Sequence, residues 1–146
     1  MRRVLGKKMN DIQQFKPISQ LPLAKAITKE ALENADKLYK DLLLARNNPY
    51  VLDQETLDRS VKLYIKELDN AWIFEEQIRR WKEAISELDA RQKELHKLEK
   101  DRGQYKQLAN EIIKLCEEVK KNSIDAILNM ADDELAMKTI LGEIKL

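Results

Sequence analysis

Residues 70–82 read NAWIFEEQIRRWK and hold both tryptophans of the chain, Trp72 and Trp81. At about 100° per residue in a helix, a spacing of nine residues turns the two indole rings to roughly opposite faces. The two rings therefore cannot contact the same neighbour. The stretch predicts a helix that changes its packing partner along its length.

The apolar spacing around this stretch is helical on both sides. Upstream, the stripe from Leu57 to Ala71 recurs at alternating steps of four and three residues, and the step to Phe74 is three where four is due. Downstream, the stripe continues from Phe74 through Trp81 to Leu88 on the shifted phase. Such a shift is typical of a helix that changes partner. We therefore expect Trp72 to end one buried stripe and Phe74 with Trp81 to begin the next.

A separate stripe from Leu23 to Ala45 predicts a first helix over about residues 20–46. Its predicted N-cap is Ser19, and Pro22 is tolerated in the first turn, where its missing N–H has no helical partner. Pro49 cannot continue a helix, so the first helix ends in the sequence RNNPY.

Asp53 is the predicted N-cap of a second helix, and the short link before it makes the two helices antiparallel neighbours. Large side chains of the second helix then face smaller ones of the first, as close packing requires. The predicted pairs are Leu42 with Leu57, Leu38 with Val61, Ala35 with Tyr64 or Ile65, Ala31 with Leu68, and Ile27 with Trp72.

The end of the second helix depends on Gly103. The run KDRG at 100–103 has the basic residues and the glycine of a helix end, which predicts helices over about 54–101 and 104–121. The alternative is one continuous helix over 54–121, because glycine inside an exposed helix costs only about 1 kcal/mol. Two short helices over 124–131 and 133–141 follow, with Ser123 and Asp132 as predicted N-caps and Gly142 as the stop.

Composition agrees with an all-α fold. Charged residues make up 36% of the chain, aromatic residues 5%, and there are only three glycines and three prolines, which leaves little for a β-rich fold. The predicted architecture is an elongated antiparallel helical hairpin or three-helix bundle with coiled-coil-like seams and short C-terminal helices. Residues 19–146 form its single helical domain.

Residues 1–18 are predicted to form a basic, flexible N-terminal arm. Arg2, Arg3, Lys7 and Lys8 bring four positive charges without an acid, so they are the candidate phosphate contacts. If Met9 and not Met1 is the native start, these charges are lost.

Residues that could form a catalytic or metal site are sparse. The single histidine, His96, lies in a charged run and is predicted to face solvent, while the single cysteine, Cys116, is predicted to be a buried thiol. Glu75 with Arg79, and Glu76 with Arg80, have the spacing of surface ion pairs on a helix. No enzyme activity, cofactor, metal or small-molecule substrate is expected.

The function predicted from the sequence is a non-enzymatic helical module for protein–protein interaction or assembly, which self-associates or binds a helical protein partner. Its candidate interaction residues are Trp72, Phe74, Arg79, Arg80 and Trp81. The alternative is an accessory nucleic-acid-binding protein that uses the basic arm. No segment has the ~18 consecutive apolar residues of a membrane span, and the first ten residues lack the apolar run of a signal peptide, so a cytoplasmic location is expected.

Overall fold

The computed structural model describes residues 15–48 and 52–128, and for residues 123–128 it describes the backbone alone. These residues form four α-helices and no strand: α1 is Leu21–Asn47, α2 is Gln54–Asp69, α3 is Ala71–Ala84 and α4 is Arg91–Leu128. A single 3-10 turn, Ile18–Gln20, precedes α1. The prediction of an all-α helical bundle is confirmed for this part of the chain.

Three cross-helix ion pairs show how the helices run. Lys25 near the start of α1 lies 2.6 Å from Glu94 near the start of α4, so these two helices are parallel. Asp58 early in α2 lies 2.6 Å from Lys120 late in α4, and Lys82 at the end of α3 lies 3.0 Å from Glu99. Helices α2 and α3 therefore form one broken rod that runs antiparallel to α4, which gives a three-helix bundle.

Helix α4 is the common packing partner, because most of the close backbone approaches between helices join α1, α2 or α3 to it. The buried side chains form two clusters along α4. The lower cluster contains Leu21, Ala24, Ile78, Trp81, Leu95 and Leu98. The upper cluster contains Ala35, Leu42, Ala45, Leu57, Tyr64, Tyr105, Ala109, Ile112, Leu115, Cys116 and Val119.

The first two helices share the upper cluster, but each packs on α4 and they have few close backbone contacts with each other, so the predicted direct pairing is not observed. Residues of the first four predicted pairs are buried in the upper cluster or packed against it: Ala31, Ala35, Leu38, Leu42, Leu57, Val61, Tyr64 and Leu68. Ile65, the other residue suggested opposite Ala35, is exposed, and so are Ile27 and Trp72 of the fifth pair. The register fails there because α2 ends at Asp69, before it reaches Trp72.

One of the two N-caps predicted for the first two helices is confirmed. The Asp53 carboxylate accepts a hydrogen bond from the Thr56 N–H at 2.7 Å. The Ser19 cap is wrong, because the 3-10 turn continues into α1 and places Gln20 at the N-cap position without a side-chain hydrogen bond. Pro22 lies in the first turn of α1, as predicted.

The predicted helix over 54–101 is wrong, because it is interrupted twice. The first break is at Asn70, which has φ −97° and ψ 0°. The Ile73 N–H donates to the Asn70 carbonyl at 3.0 Å, and this bond forms the first turn of a new helix. This break falls beside the position where the sequence predicts a shift of the apolar stripe. The second interruption is the turn over residues 85–90, in which Leu88 is exposed.

The predicted turn at Gly103 is also wrong. Gly103 lies within α4, which continues through Ser123 to Leu128, so Ser123 is not an N-cap. The predicted helix over 104–121 and residues 124–128 of the one predicted over 124–131 belong to this single helix. The continuous helix over 54–121 is wrong as well. The predicted helix over 133–141, with Asp132 and Gly142, lies outside the described residues.

Side chains of the turn itself explain why the chain reverses at 85–90. Ile85 is extended, with φ −123° and ψ 159°, and ends α3. Ser86 Oγ then accepts from the Leu88 N–H at 3.2 Å, and Asp89 Oδ1 accepts from the Arg91 N–H at 2.9 Å. Gln92 Nε2 donates to the carbonyl of Lys82 at 3.1 Å. These bonds satisfy the Leu88 N–H within the turn, together with the Lys82 carbonyl and the Arg91 N–H that the ends of α3 and α4 leave without helical partners.

Gly103→Ala should stabilise the protein by about 1 kcal/mol, because alanine has the higher helix propensity. A Cβ at this position meets no atom within 4 Å, so no clash opposes the gain. Urea denaturation of the two proteins measures the difference. A clear loss of stability would contradict a helical Gly103 and restore the turn.

Candidate interaction site on the third helix

An extended N-terminal segment, Phe15–Pro17, lies against α3 and is held through its backbone. The Lys16 N–H donates to Gln77 Oε1 at 2.6 Å, and Gln77 Nε2 donates back to the Lys16 carbonyl at 3.2 Å. The indole N–H of Trp81 donates to the same carbonyl at 2.9 Å. Gln77 and Trp81 together are called the Lys16 clamp here. The clamp satisfies both backbone polar groups of Lys16.

The buried amide of Gln77 depends on the Lys16 backbone for its hydrogen bonds. Gln77 is only 7% exposed, so its amide has few other partners, and an unsatisfied buried amide costs free energy. Pro17 keeps the segment extended, because a residue before proline is restricted to extended conformations. Pro17 itself has φ −67° and ψ 158°.

Phe15 is half-buried and lies between two side chains of α3. Its ring meets that of Trp72 edge-on, with centroids 6.4 Å apart and planes at 71°. The guanidinium carbon of Arg80 lies 4.2 Å from the centre of the same ring, a cation–π contact. The Phe15 ring thus adds an aromatic anchor to the backbone contacts of Lys16.

These contacts correct part of the predicted arm. Residues 15–18, which were expected to be flexible, include the segment held on α3 and the first residue of the 3-10 turn. Arg2, Arg3, Lys7 and Lys8 lie outside the described residues. Contact of these four residues with nucleic acid therefore stays a prediction.

An apolar groove of about 240 Å³ lies beside the clamp, between α1 and α3. We call it the Leu23 groove; its apolar lining is Leu23, Ala24, Ile27, Ile73, Phe74 and Trp81. Leu23 is 54% exposed and Ile27 is 46% exposed, and they stand one helical turn apart on α1. Within the part of the chain that the structure describes, Leu23 and Ile27 are therefore in contact with water.

One of the two predicted ion pairs of α3, Glu76 with Arg80, is confirmed, and the other, Glu75 with Arg79, is wrong. Glu76 contacts both Arg79 and Arg80, the latter at 3.2 Å, and Arg79 also reaches Glu83 at 2.7 Å. Glu75 does not pair with Arg79, because its carboxylate meets Lys106 of α4 at 2.9 Å. Hydrogen bonds from the two arginines lower the pKa of the Glu76 carboxyl to about 2.

The five predicted interaction residues lie in different environments. Trp72 and Arg80 hold Phe15, whereas Trp81 is 4% exposed and belongs to both the lower cluster and the clamp. Phe74 forms part of the groove and carries the Arg102 guanidinium at 3.8 Å from its ring centre. Arg79 is exposed and is engaged with the carboxylates of its own helix.

Sequence reasoning missed Phe15 and Gln77. Gln77 carried a signal, because it is a polar residue next to Ile78 on the apolar stripe that runs from Phe74 to Trp81. A polar side chain at such a position needs a buried hydrogen-bond partner. Nothing in the local sequence indicated that the partner is the backbone of Lys16.

The single histidine and the single cysteine have the exposure that the sequence predicts. His96 is exposed, and Cys116 is buried in the upper cluster, where burial raises the pKa of its thiol to about 11. Within residues 15–48 and 52–122, no three acidic, histidine or cysteine side chains converge as metal ligands. No helix in the described part of the chain is both long and apolar enough to cross a bilayer.

Comparison with protein-family models, with curated proteins and with solved structures found no match to this chain.

The two tryptophans should differ in their contribution to stability, although the sequence predicts that both are buried. Trp81→Ala should cost about 3 to 5 kcal/mol, because it leaves a cavity in the lower cluster. Trp72 is 42% exposed, and Trp72→Ala should cost about 1 kcal/mol through the lost edge-on contact. Urea denaturation measures both. Equal costs for the two variants would refute the assignment of their environments.

The Glu76 carboxylate should make stability depend on acid pH. Its pKa is about 2 in the folded chain and 4.5 in its ordinary state, so its stabilising effect is full above about pH 4.5. The effect is lost as the pH falls from about 4.5 to about 2. The loss of urea resistance in Glu76→Gln should therefore be larger at about pH 6 than at about pH 2. The same loss at both pH values would show that the arginine contacts do not form in solution.

Proposed function

We propose that this chain is a non-enzymatic helical module for protein–protein interaction, and that it self-associates through the Leu23 groove. The observation that carries the proposal is the exposure of Leu23 and Ile27 on one wall of a groove with an apolar lining. Association removes such side chains from water and so lowers the free energy.

The shape of this surface supports a second copy of the chain as the occupant. Leu23 and Ile27, four residues apart on α1, form a ridge, and Ile73 and Phe74 form the opposite wall of the groove. The ridge and the groove thus belong to one surface of one chain. A two-fold interface needs this arrangement, because each copy must present the same patch to the other.

The charged groups of α3 support a binding role over a catalytic one. Glu75 is paired with Lys106, and Glu76 is paired with Arg79 and Arg80. An arginine pair holds the Glu76 carboxylate ionised, which suits an ion pair and not a general acid. These charged groups do not line the Leu23 groove, and the proposal assigns recognition to the apolar residues that do.

Light scattering after size exclusion tests the proposal with a matched pair of double variants. Leu23→Glu with Ile27→Glu places two charges at the groove. Leu63→Glu with Ile65→Glu makes the same changes on α2, at side chains that are 52% and 45% exposed. At about 50 μM, where a micromolar dimer is mostly associated, the wild type and the α2 variant should be discrete oligomers. The groove variant should be a monomer.

A monomeric wild type at that concentration would contradict self-association. An oligomer that survives the groove changes and dissociates with the α2 changes would place the interface on α2. Circular dichroism of each variant checks that its helices are intact.

A further inference from the structure

We infer that the cavity beside Arg102 is a binding site for a small zwitterion, an α-amino acid with an apolar side chain. The cavity has a volume of about 320 Å³ and lies between α4 and the junction of α2 with α3. Ligand sites have volumes of about 300 to 1,000 Å³, so this one suits a ligand at the small end of the range. The inference goes beyond the proposed function, because this cavity and the Leu23 groove share no lining residue.

The cavity exists because a glycine and a helix break face each other across the bundle. Gly103 lines it from α4, and an added Cβ there would meet no atom within 4 Å. The break at Asn70 separates α2 from α3 on the opposite side. The apolar part of the wall comes from four side chains: Leu68, Ala71, Ile78 and Ala109. This wall can remove the apolar side chain of a ligand from water.

The charged side chains of the wall leave one group of each sign without an ion pair. Glu75 lies 2.9 Å from Lys106, and Glu99 lies 3.0 Å from Lys82, so these charges are neutralised. The other two charged groups of the wall are Glu67 and Arg102. Neither forms an ion pair with any residue that the structure describes. A ligand that binds both must therefore carry a positive and a negative group.

The Arg102 guanidinium is positioned to bind a carboxylate. Its carbon lies 3.8 Å from the centre of the Phe74 ring and 4.8 Å from that of Tyr105. Contacts with ring faces hold the guanidinium but use none of its N–H donors. Within the described part of the chain, these donors have no hydrogen-bond acceptor. A carboxylate suits them, because it accepts two parallel hydrogen bonds from one guanidinium.

The Glu67 carboxylate is positioned to bind an ammonium group. It is half-buried in the last turn of α2, beside the Tyr105 hydroxyl. Burial lowers the pKa of Arg102 and the charge of Glu67 opposes that change, so the two groups lie near each other although they form no ion pair. An α-amino acid carries its ammonium and carboxylate on one carbon. It can therefore bridge Glu67 and Arg102 while its side chain lies on the apolar wall.

NMR titration of the full chain with L-leucine, L-methionine and L-phenylalanine tests the site. The amide signal of Gly103 should shift with at least one of them, with a dissociation constant below about 1 mM. The amine and the acid that lack the carboxylate or the ammonium of that amino acid should bind at least about 10-fold more weakly, because each loses a charged contact. No shift of Gly103 with any of the three at about 10 mM overturns the inference, and so does equal binding of the amine or the acid.

Two charge variants test the residues that bind the zwitterion. Arg102→Gln and Glu67→Gln should each raise the dissociation constant at least about 10-fold. Arg59→Gln and Glu118→Gln make the same changes at exposed residues of α2 and α4 and should change it less than about 2-fold. Binding that is unchanged in Arg102→Gln or in Glu67→Gln overturns the assignment of the site.

Gly103→Leu tests the cavity without removing a charge. The added side chain fills the space that a ligand needs, and its Cβ meets no neighbour, so the variant should resist urea as well as the wild type and lose binding. Unchanged binding in a folded Gly103→Leu chain overturns the inference. The double variant Leu23→Glu with Ile27→Glu should bind as the wild type does, so failure of this inference and failure of the proposed self-association are separate results.

Discussion

The structure depends on one unbroken helix, α4, whose buried face serves all three partners. It has 38 residues and is about 57 Å long at 1.5 Å per residue. Its buried positions from Leu95 to Val119 supply side chains to both core clusters. Because the other helices share this face, they need little backbone contact with one another. A break in α4 would separate the two clusters and leave α1 without a continuous partner.

Two breaks in the chain make α3 a separate short helix that packs on α4 and holds the N-terminal segment. The break at Asn70 separates α3 from α2, and the turn at 85–90 returns the chain into α4. Helix α3 then packs on α4 through Ile78 and Trp81 while its other residues hold the N-terminal segment. Trp81 joins the two functions, because its ring lies in the lower cluster and its N–H binds the Lys16 carbonyl.

The sequence predicts the features that depend on apolar spacing or on a local cap. These are the first helix and the Asp53 cap. The apolar stripe shifts near Phe74, but the predicted change of packing partner is wrong, because α2 and α3 both pack on α4. The turn was misplaced because Gly103 costs an exposed helix only about 1 kcal/mol, whereas Ser86, Asp89 and Gln92 bind backbone groups of the real turn. The Lys16 clamp could be predicted only in part, since Gln77 is a local signal and its partner is 61 residues away.

The interaction site on α3 depends on the docking of Phe15–Pro17. Amide hydrogen exchange at Lys16, followed by NMR, tests it most directly. Lys16 is exposed and lies outside any helix, yet its N–H is bonded to the Gln77 side chain at 2.6 Å. Exchange at Lys16 should be slowed in the wild type and should return to the rate of an unstructured peptide in Gln77→Ala. Exchange at the unstructured rate in the wild type would contradict this docking.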